Sequence, residues 1–504
     1  MCTLLRMASK DIRRCELVFS GARVVDPETG LDAVRQVGIS GGRIVAVTAE
    51  PLMADTVVDV SGRVLVPGFI DLHSHAQTIS GLRLQALDGV TTALELEAGA
   101  LPVASTYTRA EAEGRPINFG YSASWALARM RLFDGIEPGA PFETFSAHQG
   151  APNWRRPVGP QQVRQLLDLL EEQVSAGALG IGVLVGYAPD SGRDEYLAVS
   201  SLAARLGVPT FTHTRFISTE EPGTSLEGAL EVIAAAAGTG AHTHLCHLNS
   251  TSNRMIDEIS AAIDRARDYG LRITTEAYPY GSASTVAGAA FLEPDSLRRL
   301  GMKPENIFHM ASGERVADAD RLRRLRAEDP GGLIVFDWLD ERDPADRAVL
   351  ERSLLLADTA IASDAMPMVG PDGRMVDDRW PVPREAYTHP RSVGCYARTF
   401  GWLVRELGLL SLPEAVRRCT LLPARIMAEA APAFARKGRV QVGADADLVV
   451  FDPETIASTA TYTEARTSTG IDHVLVDGRF VVRDGWLVPD ALPGRPIYGR
   501  HHNQ

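Results

Sequence analysis

Between residues 68 and 366 the chain alternates short apolar, β-branched runs with longer amphipathic stretches, and this alternation constrains the fold more than any other feature. Eight runs read as strands: "GFIDLHSH", "TTALELE", "INFGYSAS", "LGIGVLVGY", "PTFTHTR", "AHTHLCH", "RITTEAYPY" and "TAIASDAM". Stretches such as "QQVRQLLDLLEEQVSAG" and "SNRMIDEISAAIDRARDYG" place apolar residues at helical spacing between them. Eight strands joined by helical crossovers predict a (β/α)8 TIM barrel. The stretch 281–358 is too long for one strand-to-helix loop, so it is expected to add helices that cover the barrel mouth like a lid.

The two ends read differently. "ELVFSGARVVDPETG" and "QVGISGGRIVAVTA" predict extended segments with a hairpin turn at Gly41-Gly42, and "GRVQVGADADLVVFDPET" and "HVLVDGRFVVRDG" repeat that style near the C-terminus. The expected division is therefore an N-terminal part of a small β-sandwich at 1–66, an inserted barrel at 67–429, and the rest of the sandwich at 430–504.

In such barrels the reacting groups project from the C-terminal ends of the strands. The first strand ends His73-x-His75, and a period of two aims both imidazoles the same way. The second carries Glu95-x-Glu97, the fifth His213, the sixth His242, His244 and His247, and the eighth ends in Asp364. A single His-x-His is a common pattern, and a lone barrel histidine is more often a hydrogen-bonded core residue, the preferred reading for His242 and His244. Imidazole and carboxylate groups at the ends of the first, second, fifth, sixth and eighth strands together form a ligand set for a zinc-like ion. Two acids in an apolar strand are costly to bury unpaired, so at least one of Glu95 and Glu97 must meet a metal or a base. Spacing leaves both open; position favours Glu97, nearer the mouth. An ion held there would supply an acidified water as nucleophile and polarise a substrate carbonyl, with Asp364 placed as general base and then acid.

In "VPGFIDLHSH", "LQALDGVTTALELEAG", "FTHTR", "CHLNS", "TTEAYPYGSAST", "IASDAMP" and "HPRSVGCYAR" the chain resembles the amidohydrolase superfamily, in its D-aminoacylase (N-acyl-D-amino-acid deacylase) branch. The second of these segments is most like the N-acyl-D-glutamate deacylases. The resemblance implies one or two divalent ions, zinc or else cobalt or manganese. His73 and His75 would hold the more exposed ion with Asp364, and His213 and His247 the more buried one, with the second-strand carboxylate bridging or completing the site. It also places the sixth-strand ligand at His247 rather than His244, and Arg391 at the substrate α-carboxylate, where a guanidinium fork suits a carboxylate. Tyr280 is a candidate for the same carboxylate or for the developing oxyanion, and Tyr187 for the oxyanion. Two departures stand out: Ala98 where the branch commonly has a cysteine, and Asn249 where it has a lysine after the sixth-strand histidine. Other branches bridge two metals through a carbamylated lysine on the fourth strand. Here that strand has none, and the only lysines are Lys10, Lys303 and Lys437, away from every proposed strand end.

The reading is thus hydrolysis of a linear amide, most simply deacylation of an N-acyl-D-amino acid such as N-acyl-D-glutamate. The alternatives are a pathway-specific amidohydrolase acting on a biosynthetic intermediate and a non-catalytic binding protein on the same fold. Net charge −13 argues against nucleic-acid or anionic-membrane partners, and no apolar run approaches a membrane span, so a cytoplasmic enzyme with a small-molecule partner is expected; a homo-oligomer is compatible with the sequence. Five scattered cysteines form no CxxC pair.

Overall fold

The computed structural model describes residues 14–502; Cys2, Lys10 and the outermost residues of both predicted sandwich segments lie outside the described residues. Eight parallel strands follow one another in chain order: β1 (Phe69–Asp71), β2 (Val90–Ala100), β3 (Asn118–Ser124), β4 (Ile181–Val183), β5 (Thr210–Thr212), β6 (Thr243–Leu245), β7 (Ile273–Ala277) and β8 (Thr359–Ile361). Each pairs with its neighbour in sequence, as Phe211 does with His244 between β5 and β6. The ring closes between β8 and β1, where the His75 amide donates to the Ala365 carbonyl (2.8 Å) and the Ala365 amide to the His73 carbonyl (3.3 Å). This is the predicted (β/α)8 barrel. Seven of the strands lie within the runs read from sequence and are shorter than them, while β2 extends beyond "TTALELE" at both ends.

The helices bury the faces their spacing predicts. Pro160–Ser175 turns Leu166, Leu170 and Val174 inward, and Ile256–Asp268 does the same with Ile256, Ile259 and Ile263. Each such side chain contributes roughly 1.5–3 kcal/mol when fully buried. At the barrel floor Phe69 stacks between Tyr396 (5.1 Å) and Phe400 (5.3 Å).

The segment over the mouth differs from expectation. Helices Ala319–Glu328 and Pro344–Leu355 are present, but a four-stranded antiparallel sheet of Ser282–Val286, Leu333–Asp337, Ile307–His309 and Glu314–Arg315 dominates it. Its paired strands "SASTV" and "LIVFD" are rich in β-branched residues, which favour the pleat.

Strands from the two ends of the chain pair in one nine-stranded sheet, joined where Val64–Pro67 runs antiparallel to Leu448–Phe451. Alternation divides its faces: Leu448 and Val450 enter the core this unit forms with Phe19, Val37 and Leu65, while Val449 and Phe451 pack toward the barrel. The predicted hairpin is present, with Ser40 opposite Arg43 and positive φ at Gly41 and Gly42, as a two-residue turn of the primed type requires. The final residues do not stay with this sheet. The Ile497 amide donates to the Phe119 carbonyl (2.8 Å), and its carbonyl accepts from the Tyr107 hydroxyl (2.6 Å), so the C-terminal tail lies along the barrel. Among the described residues no helix is long and apolar enough to cross a membrane.

Candidate metal centre

The residues read from the strand ends converge at the barrel mouth in two connected groups. In the first, His73 Nε2 and His75 Nε2 are 3.3 Å apart, and Asp364 Oδ1 lies 3.5 and 3.4 Å from them. In the second, Glu97 Oε1 is 2.8 Å from His247 Nε2 and 3.2 Å from His213 Nδ1, with those two nitrogens 3.1 Å apart. The other Glu97 oxygen reaches back to within 3.2 Å of His73 Nε2, so a single carboxylate spans both groups. His73 is 1% exposed and His75 9%, which puts His75 and Asp364 toward the opening. His247 and Asp364 both have positive φ (32° and 49°), a conformation uncommon for side-chain-bearing residues. The backbone here is held for the placement of the side chain.

The remaining polar residues support these. Glu95, the alternative to Glu97, accepts from His75 Nδ1 (2.8 Å). Glu276, on β7, lies 2.6 Å from His73 Nδ1 and 3.1 Å from His244 Nε2. Each imidazole of the first group thus has a carboxylate behind it that sets its tautomer and ring orientation. His242 and His244 behave as core histidines, each 2.9 Å from Thr274 Oγ1. Sequence reasoning passed over Glu276, although the argument applied to Glu95 and Glu97 fits it equally well: it is the one acid in "RITTEAYPY".

The electrostatics follow from crowding. Burial opposes charge on His75, but Glu95 and Asp364 outweigh it and lift its pKa to about 9. Burial raises the Asp364 carboxyl, yet Arg391 and His73 more than reverse this and hold it well below the usual range. Glu276 is likewise pushed up by burial and drawn down by His73 and His244, to about 2. Four buried carboxylates (Glu95, Glu97, Glu276 and Asp364) meet five imidazoles (His73, His75, His213, His244 and His247) and one permanent cation, Arg391. Buried charge of one sign needs compensation, and converging imidazole nitrogens and carboxylate oxygens are the donors a divalent zinc-like ion takes. Three sets of side chains here have ligand atoms close enough for one ion: His73, His75 and Asp364; His73, Glu97 and His247; and His73, Cys246 and Glu276. The residues present therefore fit a metal.

Arg391 is fully buried, its Nη2 2.6 Å from Asp364 Oδ2, its Nε donating to the Asp364 carbonyl (2.7 Å) and its guanidinium 4.5 Å from the centre of the Tyr278 ring. Its Nη1 has no partner among the described residues. Tyr187 stands in the cavity wall, edge-on to His213 at 5.0 Å, with its hydroxyl 2.6 Å from Thr285 Oγ1. Tyr280 is placed differently from expectation: its ring lies under Arg398 (4.5 Å) and its hydroxyl faces Ser458 (3.5 Å), in a separate cavity. Tyr278 takes the place at the metal group, its buried hydroxyl without a partner. The reason is local: after Ala277 the chain turns, the Tyr280 amide donating to the Tyr278 carbonyl (2.9 Å), so alternation along the strand no longer applies. Asn249 holds that turn, accepting from the Tyr278 amide (3.2 Å) and donating to the Tyr280 carbonyl (3.3 Å). Ala98 lines the cavity, and no thiol stands at that point.

The profile of the Amidohydrolase family matches residues 56–141 and 139–482. The chain is 30% identical to an N-acyl-D-glutamate deacylase of Alcaligenes xylosoxydans xylosoxydans, with 96% of each chain covered, and 28% identical to a D-aminoacylase of the same organism, covering 94% of this chain and 95% of that one. The fold is that of the Bordetella bronchiseptica N-acyl-D-glutamate deacylase solved with zinc and a phosphonate inhibitor (TM-score 0.76, 24% identity, 96% of this chain and 100% of that one). A D-hydantoinase superposes less closely, with a TM-score of 0.59 at 16% identity over 97% of this chain and 100% of that one. With the family profile spanning both the barrel and the sheet unit beside it, the chain belongs to the amidohydrolase family.

Proposed function

We propose that the protein is a metal-dependent deacylase that hydrolyses the amide of an N-acyl-D-amino acid. The observation that carries this reading is the pair of ligand groups spanned by Glu97, with Asp364 at the open side. The relatives supply the substrate class: by name they act on N-acyl-D-glutamate, on N-acyl-D-aspartate or, as a D-aminoacylase, on D-amino acid derivatives. His73, His75 and Asp364 would hold one divalent ion, zinc or else cobalt or manganese, and Glu97, His213 and His247 a second. Such an ion supplies a water of lowered pKa and polarises the amide carbonyl.

The chain's own residues do the rest. Asp364, kept ionised by Arg391 and His73, accepts a proton from the attacking water and returns it to the amide nitrogen, which leaves poorly as an anion. Tyr187 and the unpartnered Tyr278 hydroxyl stand where they can donate to the developing oxyanion. Arg391 Nη1 is a buried guanidinium donor left over for the substrate α-carboxylate. We assign this chemistry to a barrel body of about 67–429 roofed by 281–358, with the paired terminal strands as its flanking unit. A complete ligand set speaks against a non-catalytic role.

The experiment is Asp364→Asn, assayed for amine release from paired N-acetyl-D- and N-acetyl-L-amino acids with metal content measured in parallel. The expected result is turnover of D-compounds by the parent protein and a loss of about 10²–10⁴ in kcat in the variant. A variant that keeps its rate would remove Asp364 from proton transfer.

A further inference from the structure

The walls of the cavity above the ligand groups are apolar. Phe142, Phe145, Leu184, Val286, Phe291 and Phe336 line the space, and among the described residues no lysine or arginine joins them. Phe291 stacks on His213 at 5.7 Å and meets Tyr187 edge-on at 5.3 Å, so the aromatic wall reaches down to the ligands themselves. The polar groups added to the ligands are uncharged hydroxyls: Tyr187, Ser250, Tyr278, Ser284 and Thr285.

The cations near this space lie outside its lining. Arg391 is paired with Asp364 and has one free donor position, which the α-carboxylate of an N-acyl amino acid would take. Arg155, behind the wall, lies over Trp154 (4.9 Å) and donates to Gln149 Oε1 (2.6 Å) and the Gly288 carbonyl (3.1 Å). A second cavity, sharing His75 and Phe142 with the first, contains Arg109 and Arg115. There Arg115 is paired with Glu113 (2.7 Å) and Arg109 has no carboxylate partner among the described residues, but Glu95, Glu143 and Asp377 make the lining acidic on balance. Asn249 is neutral, and its amide is spent on the backbone of Tyr278 and Tyr280. A second substrate carboxylate among these walls would therefore be buried with no arginine or lysine beside it, which is strongly unfavourable.

We infer that this enzyme selects N-acyl-D-amino acids with apolar side chains, aliphatic or aromatic, and discriminates against the acidic side chains named for the glutamate and aspartate deacylases it resembles. The inference rests on the deacylase reading above and assigns specificity to the cavity wall. Desolvation favours an apolar substrate side chain against Phe142, Val286, Phe291 and Phe336.

The test is kcat/KM of the metal-loaded protein for N-acetyl-D-leucine, -methionine, -phenylalanine, -glutamate and -aspartate, with the L-series as control and bound metal quantified. The best apolar substrate is expected to exceed both acidic ones by about 100-fold or more, the scale of a buried, unpaired charge. Glutamate or aspartate turned over as well as the apolar compounds overturns the specificity inference and leaves the deacylase reading standing. No turnover of any compound by protein with metal demonstrably bound overturns the deacylase reading and this inference with it.

Discussion

Replacing Glu276 by glutamine tests whether the centre depends on the carboxylates behind its imidazoles. Glu276 offers Oε1 to His73 Nδ1 at 2.6 Å, its Oε2 lies 3.1 Å from His244 Nε2, and the residue is 1% exposed. A glutamine has the same shape but one acceptor oxygen. Whichever way its amide turns, one of the two imidazoles meets an NH₂ group, and the charge that stiffens the His73 contact is gone. A hydrogen bond to a charged partner contributes roughly 1.5–3 kcal/mol. At about 1.4 kcal/mol per tenfold, that predicts metal affinity about 10- to 100-fold weaker, the range found for outer partners of ligating histidines. The assay is titration of the metal-free protein with Zn(II) against a chromophoric chelator, followed by kcat at saturating metal. The expected variant binds zinc more weakly and recovers most of its kcat once saturated. Unchanged affinity, or a rate loss that saturating zinc does not repair, would refute a positioning role through His73.

Removing metal with a strong chelator is expected to abolish hydrolysis and also to lower the melting temperature, because buried Glu95, Glu97, Glu276 and Asp364 lose their compensating charge. Zinc should restore both, and a melting temperature indifferent to demonstrated metal loss would count against the centre. Tyr278→Phe is expected to reduce kcat/KM about 10- to 100-fold by deleting an unpartnered hydroxyl at the site, while Tyr280→Phe stays within about threefold; the reverse order would refute the placement of these two rings. Glu28 joins the two ends of the chain, accepting from Arg439 Nε (2.7 Å) and Nη2 (2.9 Å), and the Arg439 hydrogen bond, against burial, lowers its pKa from 4.5 to about 2. Since the folded value lies below the unfolded one, its stabilisation is present above pH ~4.5 and lost as pH falls through ~2. Glu28 is exposed, so Glu28→Gln should cost at most about 1 kcal/mol in urea unfolding near neutrality. A gap between parent and variant that persists unchanged to pH ~2 would refute the pairing.

The barrel was legible because each strand is buried on both faces and therefore reads as a short apolar run between helical stretches. The ligand groups were legible for a second reason: few residue types bind a divalent ion, and the fold allows them only at strand ends. Glu276 was within reach of the same argument and was missed only because one acid draws less notice than the pair on β2. Arg391 lies 27 residues beyond Asp364, outside any strand, and no spacing rule connects the two, so resemblance alone pointed to it.

Tyr280 marks where local periodicity stops. It shares parity with Tyr278, so a strand would put both on one face, but the ladder ends at Ala277 and the turn held by Asn249 sends them to different cavities. The sheet over the mouth presents the same difficulty on a larger scale. Ser282–Val286 has its partner at Leu333–Asp337, some fifty residues away, and short β-branched runs do not announce a partner at that distance. The wall residues Phe291 and Phe336 come from this covering segment and Phe142 from a short helix, Pro141–Ala147, in the connection from β3 to β4, where sequence carries no positional code for the cavity. Ligands belong to the strands, and strands have a period. Specificity belongs to connections, whose geometry is set by contacts remote in sequence. That is why the reaction class could be read from the sequence and its resemblance, while the proposed choice of substrate side chain rests on the assembled cavity.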